Sequence, residues 1–250
     1  MTHVGVIHLG RVGAHIARRL LASGHPCVVY DRCPRTVAEL AAECAHGARS
    51  VPDLVHELDG PRVIWLAGPA SDTDATIAEM LPFLEPDDIV VECGGSDHAD
   101  AIRRAGELAA VSVQYVDVGV CGELGRPGAP CCLMLGGDEA AVRSLRPVLD
   151  ALLPSHAYLH CGPTGAGHFV NTIHDGIERR LIAAYAEGFR MIRAADTGWT
   201  DRDPGHTFDL PAIVDVWRRG APVASAVMER AARDQAAAHE AGCVVPEMHR

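Results

Sequence analysis

Residues 3–31 read HVGVIHLGRVGAHIARRLLASGHPCVVYD, and they decide the fold of the first part of the chain. His3–Ile7 predicts a buried strand, Val12–Ala22 has the apolar spacing of a helix, and Cys27–Tyr30 predicts a second strand. A strand, a glycine-bearing turn, a helix and a parallel strand make up the unit that binds dinucleotides in Rossmann-type sheets. We therefore expect a mostly parallel α/β sheet with a dinucleotide site at its carboxyl edge.

The alternation of strand and helix patterns continues to about residue 160 and then stops. The further strands and helices predicted are Arg35–Ala45, Val63–Leu66, Asp74–Leu81, Ile89–Glu92, Ala99–Leu108, Val113–Val118, Cys132–Leu135 and Glu139–Leu152. After Pro163 only helical patterns follow, among them Leu210–Arg219 and Val223–Ala238. The pattern predicts a Rossmann-type, mostly parallel α/β sheet domain over 1–162 and a smaller all-helical domain over 163–250.

The turn after the first strand stands where a G-x-G-x-x-G fingerprint belongs. Gly10 would let the backbone approach a pyrophosphate, and Gly13 would let helix and strand pack closely. The helix N-terminus would face the phosphates with its positive end. His8 replaces the first glycine, so a Rossmann turn without a cofactor is the alternative. The predicted pyrophosphate-binding residues are His8, Leu9, Gly10, Arg11, Val12 and Gly13.

Asp31 ends the second strand, where an acidic residue receives the adenosine ribose hydroxyls. Its carboxylate would repel a 2′-phosphate, which favours NAD over NADP, whereas Arg32 could hold that phosphate. We expect NAD as the cofactor. Gly68, Pro69 and Ala70 follow another strand at the same edge and complete the predicted cofactor site.

A second informative stretch, residues 165–189, reads GAGHFVNTIHDGIERRLIAAYAEGF and predicts one long helix. Its apolar side chains recur at three- and four-residue steps. Beside them runs a polar stripe whose carboxylates and imidazole lie about one turn apart, an arrangement that suits acid–base chemistry. A solvated helix face is the alternative. The apolar face is Val170, Ile173, Ile177, Leu181 and Phe189, and the polar stripe is Asn171, His174, Asp175 and Glu178.

This stretch resembles the catalytic helix of 6-phosphogluconate dehydrogenases, in the β-hydroxyacid dehydrogenase superfamily, whose motif reads GxGHxxKxxHNGIE. The resemblance covers most of the chain and includes the segments HLGRVG, VVYDR, VDVGVCG and CLMLGGD. It implies that Glu178 protonates an enediol, that His174 contacts substrate, and that the loop after Gly68 lies near the nicotinamide. The matching helix positions are Gly165, Gly167, His168, His174, Gly176, Ile177 and Glu178.

The chain departs from the family at its catalytic base. Asn171 replaces the catalytic lysine, and Asp175 replaces the asparagine of the motif. An amide has no titrating nitrogen near neutral pH, and loss of a general base typically lowers the rate by about 10²–10⁴-fold. His174 is the natural replacement, with Asp175 to orient it. The alternative for His174 is a structural hydrogen bond.

Positions that hold the substrate in the family also differ. Cys121 replaces a serine and Glu123 a glycine in the loop for the substrate carboxylate, and Gly95 replaces an asparagine. Arg179 replaces a phosphate-contacting tyrosine, and Ala224 replaces a phosphate-binding arginine. The resemblance therefore implies a pocket that recognises anions more weakly. The predicted substrate-binding residues are Gly94, Gly95, Ser96, Cys121, Gly122, Glu123, His168 and Arg179.

The charge and composition of the chain argue against several classes of binding partner. The net charge of -11 argues against a nucleic-acid or anionic membrane surface. No apolar run approaches a membrane span, and no signal peptide precedes the first strand, so we expect a cytoplasmic protein. The nine cysteines then read as reduced thiols. His156, His160 and Cys161 are the nearest approach to a metal cluster, but they lack a second ligand pair, and we expect no metal.

Three functions fit these residues. The first is an NAD-dependent oxidoreductase for a hydroxylated, sugar-like substrate other than 6-phosphogluconate. The second is a redox-neutral dehydratase (a lyase) or epimerase on a sugar or nucleoside, in which tightly bound NAD supports oxidation, elimination and re-reduction. The third is a non-catalytic binding homologue. The helices after residue 163 carry more apolar surface than a small domain can cover, and the resemblance implies an intertwined homodimer there.

Overall fold

The computed structural model of the protein describes residues 2–126, 129–195 and 207–220. The chain divides into two units, Met1–Ile173 and His174–Arg250. The domain boundary that the sequence predicts near residue 162 remains a proposal. The predicted helix Val223–Ala238, and Ala224 within it, lie outside the described residues.

The first unit is built on an eight-stranded sheet of order β3-β2-β1-β4-β5-β6-β7-β8. Neighbouring strands are parallel except β6 and β7, which are antiparallel. The strands are β1 (Val4–Ile7), β2 (Cys27–Tyr30), β3 (His46–Gly47), β4 (Val63–Leu66), β5 (Ile89–Glu92), β6 (Gln114–Gly122), β7 (Cys131–Gly136) and β8 (Tyr158–Gly162). The helices are α1 (Arg11–Ala22), α2 (Pro34–Ala41), α3 (Val51–His56), α4 (Ala70–Met80), α5 (His98–Ala109), α6 (Glu139–Ser144), α7 (Arg146–Leu152), α8 (Ala166–Ala194) and α9 (Leu210–Gly220).

The sheet is apolar on both faces because helices cover both sides. Every residue of β1, β4 and β5 is buried, as is typical of parallel strands in doubly covered sheets. Successive residues of a strand point to opposite faces. Trp65 accordingly belongs to one apolar core, and its neighbour Ile64 belongs to the other.

The predicted fold class is confirmed, with differences in detail. Three elements, β3, α3 and β8, were not predicted from the sequence. Of these, β3 has two residues, and β8 is a partly exposed edge strand without a long apolar run. The predicted helix over Glu139–Leu152 is two helices, α6 and α7. Pro147 lies in the first turn of α7, where its missing N–H is tolerated.

The second unit contains most of α8 and, in its described part, α9. Its small core holds the buried side chains of Phe189, Leu210 and Val214. The Phe189 and Trp217 rings stack with centroids 6.4 Å apart. Other apolar side chains of this unit remain exposed, among them Ile177, Leu181, Met191 and Val216. Within the described part of the chain, no helix is long and apolar enough to cross a bilayer.

Candidate active site

The turn between β1 and α1 has the geometry of a dinucleotide-binding turn. Gly10 precedes α1 at the N-cap with φ of -61°, and no side chain caps it. A Cβ added to Gly10 would meet nothing within 4 Å, whereas one on Gly13 would lie 1.9 Å from the backbone oxygen of His8. Gly13 therefore permits close packing, and Gly10 leaves the helix N-terminus open to a phosphate. Leu9 is buried and Arg11 exposed.

His8 adopts the backbone conformation that the turn after β1 requires, although it is not glycine. Its φ is +68°, in the left-handed region that histidine enters more readily than most residues. The His8 ring lies against Gly68, in the loop between β4 and α4. A Cβ added to Gly68 would be 2.3 Å from His8 Nδ1. Burial lowers the pKa of the His8 imidazole. The imidazole is therefore neutral near pH 7.

Asp31 is held in place at the end of β2. Its Oδ2 accepts a hydrogen bond from the Leu9 N–H at 2.6 Å, and its Oδ1 accepts one from the Cys33 N–H at 2.8 Å. Each carboxylate oxygen has a further lone pair, so ribose hydroxyls can still donate to it. Arg32 follows with a 64% exposed side chain. Pro69 occupies the N-cap position of α4, which begins at Ala70.

A cavity of about 310 Å³ opens beside this turn. The first turns of α1 and part of α2 form its walls, and Gly125 closes it from the loop after β6. A Cβ on Gly125 would come within 3.2 Å of His15, so this loop lies close against α1. The lining residues are Leu9, Gly10, Arg11, Ala14, His15, Arg18, Thr36, Glu39, Leu40 and Gly125.

A buried network of polar and acidic side chains joins the end of β5 to the middle of β6, and it was not predicted from the sequence. Glu92 and Asp117 are fully buried, and His168 is 2% exposed. His168 Nε2 lies 3.1 Å from Glu92 Oε2, and Nδ1 lies 3.7 Å from Asp117 Oδ2. A buried carboxylate is costly unless polar groups lie close to it. The sequence does contain a sign of this network. Glu92 directly follows three apolar strand residues, and Asp117 lies between two valines.

Asp117 also fixes the start of α8. Its Oδ1 accepts a hydrogen bond from the Gly165 N–H at 2.6 Å, and its Oδ2 accepts one from the His168 N–H at 2.8 Å. These bonds satisfy N–H groups that a helix N-terminus leaves without partners. A Cβ on Gly167 would lie 2.4 Å from the Met134 carbonyl oxygen. The Gly-Ala-Gly segment therefore allows α8 to start directly on the sheet.

Glu92 connects this network to the loop after β5. Its Oε1 accepts a hydrogen bond from the Gly94 N–H at 2.5 Å, and its Oε2 accepts one from the Tyr115 hydroxyl at 3.1 Å. Burial raises the pKa of that hydroxyl. Arg104 Nη1 lies 3.8 Å from Glu92 Oε2 and donates to Ser96 Oγ at 2.6 Å. Ser96 and His168 are thus predicted substrate residues that the structure buries.

Two positions at which the chain departs from the family motifs are in contact. The Cys121 thiol donates to Asn171 Oδ1 at 3.0 Å, and Cys121 is 4% exposed. A Cβ on Gly119 would lie 2.4 Å from the Asn171 Cβ, so this glycine lets α8 approach β6. Glu123 pairs with Arg126 Nη1 at 2.8 Å.

The remaining predicted substrate residues of the first unit lie at turns. Gly95 is exposed with φ of +73°, and Gly122 is exposed with φ of +90°. A Cβ on Gly122 would lie 2.3 Å from the Pro130 carbonyl oxygen. Both turns therefore need glycine, and they leave backbone exposed near the ends of β5 and β6.

The second unit carries the predicted acid–base residues. His174 Nδ1 lies 3.9 Å from Asp175 Oδ1, and both side chains are about half exposed. One ligand atom each from His174, Asp175 and Glu178 lie within 4.8 Å of one another. Spacing of this kind is common on acidic surfaces, and the absence of a metal stays a prediction. Arg179 is exposed.

Comparisons with known proteins place this geometry in a family. Residues 3–160 match the model described as the NAD binding domain of 6-phosphogluconate dehydrogenase. The chain is 37% identical over 230 residues to the NAD(+)-dependent, decarboxylating 6-phosphogluconate dehydrogenase of Haloferax volcanii, covering 90% of this chain and 72% of that protein. It is 33% identical to the decarboxylating 6-phosphogluconate dehydrogenase of Staphylococcus aureus, covering 82% of this chain and 46% of that one.

The fold is similar to that of a solved β-hydroxyacid dehydrogenase. The crystal structure of 3-hydroxyisobutyrate dehydrogenase from Salmonella typhimurium matches with a TM-score of 0.76 and 26% identity, over 95% of this chain and 79% of that one. The open N-terminus of α1 and the oriented Asp31 carboxylate fit the cofactor of this domain type, NAD. The chain therefore belongs to the 6-phosphogluconate dehydrogenase family of the β-hydroxyacid dehydrogenase superfamily and is an NAD-binding oxidoreductase.

Proposed function

We propose that this protein is an NAD-dependent oxidoreductase that oxidises a hydroxylated, sugar-like substrate other than 6-phosphogluconate, and that it prefers NAD to NADP. The observation that carries the proposal is Asn171, which stands at the family's lysine position with its amide oxygen bound by the Cys121 thiol. An amide orients a hydroxyl but cannot accept its proton near neutral pH.

Proton transfer then falls to other side chains of α8. Bound at the turn after β1, NAD would supply the hydride acceptor for the substrate carbon. We assign the hydroxyl proton to His174, with Asp175 to orient the ring. Glu178, whose carboxylate lies within 4.8 Å of a His174 ring nitrogen, then takes that proton on from His174. On this assignment Glu178→Gln lowers turnover by about 10²-fold or more, with a modest effect on substrate binding.

The proposed substrate carries less negative charge at the sites the family uses for anions. The buried Cys121 thiol replaces a hydroxyl, and the Glu123 carboxylate, paired with Arg126, adds an anion to the same loop. The net charge of -11 acts in the same direction. These features support a neutral or weakly acidic polyol over a sugar acid phosphate.

The test is 6-phosphogluconate oxidation with NAD by the wild type and by Asn171→Lys, with Asn171→Gln as a matched control. We expect little activity in all three, because one restored base leaves the substrate poorly held. Vigorous wild-type activity would show that the chain has kept the reaction named in its relatives. Vigorous activity in Asn171→Lys alone would show that the pocket is intact and only the base was lost.

A second measurement separates the remaining functions. Nucleotide released from the purified protein is identified, and NADH absorbance is followed during turnover of a polyol panel. Net NADH formation supports the oxidoreductase. Product without a change in absorbance would identify the redox-neutral dehydratase or epimerase. A protein that releases no nucleotide and turns over none of the polyols would be the non-catalytic binding homologue.

We also propose that the protein is a homodimer. The exposed apolar side chains Ile177, Leu181, Met191 and Val216 of the second unit support this, because burying them against a second copy would remove apolar surface from water. A small-molecule substrate is the other expected partner. The cytoplasmic location stays a prediction.

A further inference from the structure

Asp72 lies between side chains from two other loops at the carboxyl edge of the sheet. It belongs to the first turn of α4 and is 30% exposed. Its Oδ2 lies 3.5 Å from Arg32 Nη1, at the end of β2, and 3.9 Å from His8 Nε2, at the end of β1. Ser71 Oγ donates to its Oδ1 at 3.0 Å. One carboxylate therefore connects the loops that follow β1, β2 and β4.

Arg32 is the positive partner of this carboxylate. Burial lowers the pKa of His8, even though the charge of Asp72 acts in the opposite direction. A neutral imidazole cannot balance the Asp72 charge, so the ion pair is with Arg32. An arginine at this place could otherwise turn towards a 2′-phosphate, since its planar fork suits phosphate oxygens.

Asp31 adds a second negative charge to the same edge. Its orientation is fixed by the N–H groups of Leu9 and Cys33, so it cannot turn away from an incoming phosphate without losing both bonds. A 2′-phosphate would thus meet one fixed carboxylate, and its best cation would already be paired with another.

We propose that Asp72 is a specificity-determining residue, which favours NAD by holding Arg32 away from a 2′-phosphate and by adding negative charge beside Asp31. This inference rests on the proposed preference for NAD. It assigns part of that preference to α4, a helix outside the fingerprint turn and outside the end of β2.

The expected effect is moderate because the pair is exposed. Arg32 is 64% exposed, and exposed ion pairs are individually weak and screened by salt. Asp72→Asn releases Arg32 and removes one repelling charge. We therefore expect NADP to bind about 3- to 10-fold more tightly in this variant, with a smaller change for NAD.

The experiment is calorimetric titration of NAD and NADP into the wild type, Asp72→Asn, Arg32→Gln and the double variant, at one low salt concentration. Glu79→Gln is the control, because Glu79 is an exposed carboxylate of the same helix. It removes the same charge and leaves the ion pair between Asp72 and Arg32 intact, so its gain in NADP affinity should be smaller than that of Asp72→Asn. Retained NAD binding shows that each variant is folded.

The results separate the two proposals. A tighter NADP complex in Asp72→Asn, with a smaller gain when Asp72→Asn is made in the Arg32→Gln background, supports the inference. Unchanged NADP affinity in Asp72→Asn overturns it, as does a gain that is equally large without Arg32 or in Glu79→Gln. A wild type that prefers NADP would instead contradict the proposed cofactor preference, whatever the variants show.

Discussion

Replacing Gly10 by alanine should weaken NAD binding without unfolding the protein. The Gly10 backbone, at φ -61° and ψ -170°, is accessible to alanine, and the new Cβ would meet nothing within 4 Å. Alanine restricts the unfolded chain, which stabilises, but is a poorer N-cap than glycine. These opposed effects leave the free energy of unfolding within about 1 kcal/mol of the wild type.

The same methyl group would stand where the cofactor's pyrophosphate approaches the start of α1. Losing one charge-assisted hydrogen bond from that helix end removes about 1.5–3 kcal/mol of binding free energy. The dissociation constant for NAD should therefore rise by about 10- to 100-fold. Calorimetric titration measures the affinity, and urea denaturation measures the stability of the same preparation.

Gly13→Ala is the matched control, with the same chemical change three residues along α1. Its Cβ would lie 1.9 Å from the His8 backbone oxygen and 3.2 Å from the Ala67 Cβ, so α1 must move away from the turn. Overpacking of this kind lowers stability by about 1–3 kcal/mol. We expect this variant to lose both stability and NAD affinity. Wild-type NAD affinity in Gly10→Ala, or wild-type stability in Gly13→Ala, would refute the division of roles between the two glycines.

Three further outcomes can be measured. Asp117→Ala should lower the free energy of unfolding by about 3–5 kcal/mol, more than Asp117→Asn, because alanine offers no acceptor to the Gly165 and His168 N–H groups, whereas asparagine keeps one side-chain oxygen; equal urea midpoints would contradict this. Burial lowers the pKa of His8 below its ordinary 6.5, so the unfolded chain takes up this proton first as the pH falls. The stability due to neutral His8 is present above about pH 6.5 and is lost as the pH falls through the lower folded pKa; urea midpoints between about pH 7.5 and 5 should fall less for His8→Gln than for the wild type. Light scattering at micromolar concentration should give about twice the 26.5 kDa of one chain, and a monomer would contradict the proposed dimer.

Local sequence signals predicted the parts of the fold and site that depend on neighbours along the chain. The fingerprint turn, with Gly10 and Gly13, follows from a strand, a turn and a helix in succession. The strands Val63–Leu66 and Ile89–Glu92 have the predicted bounds because they are continuous apolar runs between turn residues. The long helix after Gly165 follows from its period.

Other features depend on partners far away in sequence. Glu92, Asp117 and His168 come together from β5, β6 and α8, and periodicity carries no information about which buried charges meet. The contact between Cys121 and Asn171 joins residues 50 positions apart. The contact of Asp72 with Arg32 and His8 depends on side-chain directions in the loops after β1, β2 and β4.

The buried network has a consequence for how such an enzyme can be altered. Glu92 and Asp117 each accept hydrogen bonds from two other groups, so replacing either carboxylate leaves N–H or O–H donors without their acceptor inside the protein. Asn171 and Cys121 take no part in these hydrogen bonds of Glu92 and Asp117, and they contact each other. A protein engineer could therefore vary this pair as a unit and test new substrates while the foundation of α8 stays unchanged.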